Sequence, residues 1–76
     1  MIPDSERRKM LAVPLCAPRV LRRLESIGVH TLADLRGRDS YDHMHEINLQ
    51  AGRVIWRAPM AIVALQNLIE AAELEE

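Results

Sequence analysis

Four sets of side chains in this sequence are of types that can do chemistry. His43 and His45 stand among Asp39, Asp42 and Glu46, residue types that hold divalent metals. Two positions apart on a helix, the two imidazoles diverge by about 200°. His43 could meet Asp39 or Glu46, but two or three ligands without a further partner read as a solvated polar face, and no metal is expected. Cys16, the single cysteine, has no internal disulfide partner. No His, Asn or Asp stands at a spacing that suggests a nucleophile's partner, so the thiol reads as a small buried hydrophobe. Arg19, Arg22 and Arg23 could contact phosphates, with Arg7, Arg8, Lys9, Arg36 and Arg38 extending the surface. The competing reading is a solvated face with local ion pairs, such as Arg22 or Arg23 with Glu25 or Asp34. Trp56 lies between Arg53 and Arg57. It either plugs the core, the reading placed first, or anchors a partner at a half-exposed position.

The composition narrows what these groups can serve. Hydrophobic residues make up 49% of the 76 positions and there is no Phe, so the core must be aliphatic and densely packed. Leu, Ala, Met, Arg and Glu dominate, and these favour helix. Net charge is −1, but residues 1–57 carry +3 and residues 58–76 carry −4, with four glutamates and no base. A nucleic-acid binder is usually more basic overall, although a local basic patch survives this objection. No apolar run approaches the ~20 residues of a membrane span. The charged stretch Met1–Lys9 is unlike a signal peptide, and the expected location is cytoplasmic.

Pro and Gly punctuate the chain into five helical segments. The first runs from about Asp4 to Ala12, capped by Asp4 or Ser5 and ended by Pro14. The second starts on Pro18, a residue suited to the first helical position, and runs to Ile27 before Gly28. Val20, Leu21, Leu24 and Ile27 share its inward stripe. Thr31 caps a short third helix, Leu32–Arg36, with Asp34 in its first turn. Asp39 or Ser40 opens the fourth, which reaches about Gln50; Tyr41, Met44, Ile47 and Asn48 face inward, and Asp42, His43, Glu46 and Gln50 outward. After a connector containing Val54-Ile55-Trp56, Pro59 starts a fifth helix reaching about Glu73. Its main stripe is Ala61, Ile62, Leu65, Leu68, Ile69 and Ala72. Met60, Val63, Ala64 and Ala71 form a second, weaker apolar surface beside Asn67, either exposed or covered by the first helix, with cover placed slightly ahead.

The stretch Val13-Pro14-Leu15-Cys16-Ala17-Pro18, followed by an amphipathic helix and Ile27-Gly28-Val29-His30-Thr31-Leu32-Ala33-Asp34-Leu35, resembles a helix-hairpin-helix unit. Over residues 10–72 the chain resembles the small pathogenicity-locus family of helix-hairpin-helix proteins and the C-terminal domain of TfoX-type competence regulators. That resemblance implies DNA binding through the hairpin backbone and adjacent arginines. The usual hairpin glycines, which let backbone N–H groups approach a phosphate, are replaced by Leu15 and Ala17. A leucine side chain crowds that approach, and a non-glycine residue resists positive φ.

The expectation is therefore one all-α domain over residues 1–76, with about five short helices, a hairpin unit at 13–35 and a packing helix at 59–73. It is expected to be no enzyme and to use no cofactor or small-molecule substrate. The first functional expectation is protein contact or self-association through Trp56, Met60, Val63, Ala64 and Asn67. The alternative is weak, sequence-nonspecific DNA binding through Arg19, Arg22, Arg23 and the Leu15–Ala17 hairpin.

Overall fold

The computed structural model describes residues 1–75. Among them are four α-helices: α1 (Asp4–Leu11), α2 (Pro18–Glu25), α3 (Ser40–Ala51) and α4 (Met60–Leu74). A 3₁₀ turn, Leu32–Leu35, joins α2 to α3, and no described residue lies in a strand. The all-α reading therefore holds, with the third of the five segments wound as 3₁₀ rather than α.

α4 is the spine. Its Ala61, Ile62, Ala64, Leu65, Leu68 and Ala72 are buried, and it packs against α3 and the 3₁₀ turn. α1 packs on α2 and on the 3₁₀ turn instead of covering the second face of α4, so Met60 and Val63 stay exposed. The expected cover does not extend over these two residues, whereas Ala71 is half-buried against the core. Ala64, expected on that second surface, lies in the core.

Local chemistry explains most boundaries. Pro18 sits at the first position of α2, and Val20, Leu21 and Leu24 bury its inner stripe. Thr31 and Asp34 form a reciprocal capping box around the 3₁₀ turn: Asp34 N donates to Thr31 Oγ1 at 3.2 Å and Thr31 N to Asp34 Oδ2 at 3.1 Å. Asp39 caps α3 by accepting from Asp42 N at 2.9 Å, and Gly52 ends it at φ 75°. α1 departs from expectation: Pro3 occupies its cap position without a side-chain bond, leaving Asp4 and Glu6 in the first turn and Arg8 and Lys9 in the last. That charge order suits the helix macrodipole.

Side chains also fasten the ends together. Leu32 N donates to Glu6 Oε1 at 2.8 Å, tying α1 to the 3₁₀ turn. Arg36 donates to the carbonyls of Ala72 (2.7 Å) and Glu75, adding to the bond that Ala72 O receives from Glu75 N (3.3 Å) at the C-terminus of α4. Lys9 bridges Glu6 at 2.7 Å and Glu75, closing the N-terminal helix onto the end of α4.

α3 is rotated from its expected setting. Tyr41 is exposed, whereas His43 is 1% exposed beside buried Ser40 and Ile47. The sequence pattern placed Tyr41 inward with Met44, Ile47 and Asn48, and His43 outward. Burial instead centres on Ile47, and His43 and Ser40 lie one and two turns before it on the same face.

Candidate interaction surfaces

The 52–58 connector has little regular backbone bonding, and one side chain holds it. Asn48 Oδ1 accepts from Ile55 N (2.9 Å) and Trp56 N (3.1 Å), while its Nδ2 donates to Trp56 O (2.9 Å). This clamp fixes Trp56, which is buried in the core cluster. The Arg23 guanidinium stands over the indole, 5.0 Å from its centroid, a cation–π distance. Burial, with nearby Arg19 second, holds the Arg23 pKa below its ordinary value. Trp56 thus joins α2 to α3.

Beside it opens a groove of about 560 Å³ between the end of α3 and the connector. Met44, Leu49, Val54 and Trp56 give it an apolar wall, and Arg53 and Arg57 lie at its edge. Leu49 and Val54 are 67% and 58% exposed, so two large aliphatic side chains stand in water next to an indole already fixed in place. The sequence reading missed this groove. Leu49 falls on the polar arc of α3 and Val54 in the connector's apolar run, and neither was singled out. The available signal was the polar Asn48, whose two-sided amide suits unpaired backbone.

The structure brings Arg19, Arg22 and Arg23 together on one side of α2, where they border a second cleft with Gln50, Ala51 and Ile55. Ion pairs of Arg22 or Arg23 with Glu25 or Asp34 are not formed among the described residues. Asp34 is occupied by the backbone N–H groups of His30 (2.9 Å) and Thr31, and these bonds, His30's first, hold its carboxyl below its ordinary pKa. Glu25 accepts from Ile2 N at 3.5 Å.

In the turn before α2, Leu15 adopts φ 68°, the left-handed conformation it was expected to resist. Pro14 precedes it and Cys16 N donates to Val13 O at 3.1 Å, the arrangement of a type II turn with its positive φ at the third residue. The Leu15 side chain is 52% exposed, so it occupies space outside the backbone where an anion would approach. Ala17 is extended, at φ −106°, and exposed. Cys16 is buried between them, and burial pushes its thiol pKa up to about 11, leaving it protonated at neutral pH.

The interface residues expected from the sequence separate into two places. Trp56 belongs to the groove. Met60 and Val63 lie exposed along α4, with half-buried Asn67, whose Nδ2 donates to Pro14 O at 3.1 Å. His43 and His45 diverge, one buried and the other exposed at the groove. Among the described residues no three His, Cys, Asp or Glu side chains gather closely enough to hold a metal ion. No described helix is long and apolar enough to cross a membrane. Comparison with protein-family models, with curated proteins and with solved structures returns no match.

Proposed function

We propose that the chain is a small, non-catalytic protein-interaction module whose docking surface is the groove beside Trp56. The observation that carries this reading is the exposure of Leu49 and Val54 beside Trp56, whose backbone is held by Asn48 and whose ring is covered by Arg23. Preorganised apolar surface of this kind loses little side-chain entropy on binding. Arg53 and Arg57 favour a segment whose apolar side chains are flanked by carboxylates. The module works in the cytoplasm, a setting that suits its unpaired, protonated thiol.

The test is an amide-resolved NMR titration with a designed amphipathic peptide of leucines flanked by glutamates. Expected are shifts at Met44, Leu49, Val54 and the Trp56 indole. They should vanish in a Leu49→Ser/Val54→Ser variant that retains its helical circular dichroism. No groove shifts at millimolar peptide would sink the proposal.

A second reading, weak sequence-nonspecific DNA binding within a helix-hairpin-helix kinship, is favoured by one observation: Leu15 keeps a positive φ at a hairpin-glycine position. Arg19, Arg22 and Arg23 would supply the phosphate contacts. Titration with a short DNA duplex separates the two, because this reading requires salt-sensitive shifts confined to Leu15–Arg23.

A further inference from the structure

The outer face of α4 has a symmetry of its own. Met60, Val63, Asn67, Ala71 and Leu74 are spaced three, four, four and three residues apart. At 100° per residue they fall within an arc of about 80°. Met60, Val63 and Leu74 are 60%, 42% and 84% exposed, while Asn67 and Ala71 are half-buried. The stripe reads the same in both directions about Asn67: large residues at each end, Val63 and Ala71 on either side, a polar amide at the centre.

We propose that this face pairs with the same face of a second copy, antiparallel, about a two-fold axis at Asn67. Met60 then meets its mate's Leu74, Val63 packs over the small Ala71, and the two Asn67 amides meet at the axis. Each Asn67 gives one N–H to Pro14 O, which positions the amide and leaves its second N–H and its Oδ1 for the mate. A single amide in an apolar seam is a known means of fixing register.

Charge selects both the occupant and the direction. Arg53 and Arg57 precede α4, Glu70 and Glu73 are exposed near its end, and residues 58–76 contain no base. Parallel pairing would set glutamates against glutamates. Antiparallel pairing sets Arg53 and Arg57 of each copy near Glu70 and Glu73 of the other and opposes the helix dipoles. Arg36 and Lys9 at that end are already engaged, with the Ala72 and Glu75 carbonyls and with Glu6 and Glu75 respectively. The operation closes after two copies, so the contact makes a dimer and not a filament. Fifteen residues of helix span about 22 Å, so the contact is short and a weak, concentration-dependent dimer is expected. This inference extends the interaction reading to a second face that shares only Arg53 and Arg57 with the groove's edge, and Leu49→Ser/Val54→Ser and Val63→Lys let either fail alone.

Sedimentation velocity over a concentration series tests it. The unmodified chain should pass from monomer to dimer, and Val63→Lys, at an exposed position that leaves the fold intact, should weaken dimerisation at least tenfold. Arg57→Glu alone and Glu70→Arg/Glu73→Arg alone should each be weakened, whereas an equimolar mixture of the two should dimerise again, because both cross-axis pairs become attractive. A monomer at all concentrations, or a mixture no tighter than its components, overturns the pairing. So does loss of the dimer in Leu49→Ser/Val54→Ser with Val63→Lys unaffected, since the second copy would then sit in the groove.

Discussion

Two of the irregular links between helices, 12–17 and 52–59, are stabilised by different means. In the 12–17 turn the main chain does most of the bonding, with Val13 N on Met10 O and Cys16 N on Val13 O, both near 3 Å. Leu15 carries the unfavourable positive φ, and α4 contributes one side-chain bond, from Asn67 to Pro14 O. In the 52–59 connector a glycine takes the positive φ, and one side chain, Asn48, makes three bonds to the backbone. One link is a turn with a strained residue, the other a loop folded around an amide. The surface that depends on the amide, the Trp56 groove, should therefore be the more sensitive to a single substitution.

That contrast predicts unequal costs for two chemically identical changes. Asn48→Ala leaves two N–H groups and a carbonyl without partners in a part-buried site, and should destabilise by about 2–3 kcal/mol. Asn67→Ala removes one exposed bond and should cost about 0.5–1 kcal/mol. Urea denaturation followed by circular dichroism measures both, and equal costs would mean that the connector does not rest on the clamp. In Asn48→Ala the Trp56 indole should also lose its fixed NMR environment.

Acid should loosen the two links in a definite order. Burial, the main cause, pulls the His43 pKa below 6.5 against the opposing effect of the nearby Leu35 backbone, and neither ring nitrogen makes a hydrogen bond of good geometry among the described residues. Because the folded value is depressed, the unfolded chain binds more protons between that value and 6.5. Stability from the neutral imidazole is fully present above 6.5 and is lost as pH falls from there through the folded value. His43 lies on α3, the helix that carries the clamp, so amide exchange at Ile55 and Trp56 should quicken before exchange at Cys16. His43→Leu should flatten this pH dependence and raise stability at neutral pH by about 0.5–1 kcal/mol, since it removes a buried imidazole with no well-formed hydrogen bond and opens no large cavity. A pH profile unchanged by that substitution would assign the titration to another group.

The same histidine marks where sequence reasoning stops. Pro18, the Thr31–Asp34 box, the Asp39 cap and Gly52 act within a few residues of themselves, so the segments they bound were legible. The rotation of α3 was not, because the choice between Tyr41 and His43 depends on what α4 and the 3₁₀ turn offer. A histidine's polarity does not reveal that it will be buried. The arginine trio was legible as an i, i+3, i+4 cluster on α2, but Arg23 over Trp56 joins residues 33 positions apart and left no local pattern. The outer stripe of α4 was visible as apolar surplus. Its exposure became clear only when α1 proved to pack elsewhere.

The smallest effect tests the strained link. A leucine in the left-handed region costs roughly 1–2 kcal/mol relative to its preferred conformations, whereas asparagine visits that region readily. Because Leu15 is about half exposed, replacing it also forfeits part of its apolar burial, on the order of 1 kcal/mol. Leu15→Asn, which adds little unfolded-state freedom, should therefore raise stability by about 0.5 kcal/mol. A clear loss would show that the leucine side chain contributes packing large enough to outweigh its backbone strain, and the turn would then be held by its side chain as the connector is. The same variant opens the approach to the backbone N–H groups near the start of α2. Under the second functional reading it should tighten the salt-sensitive contact with a DNA duplex, whereas groove binding of the acidic peptide should stay unchanged.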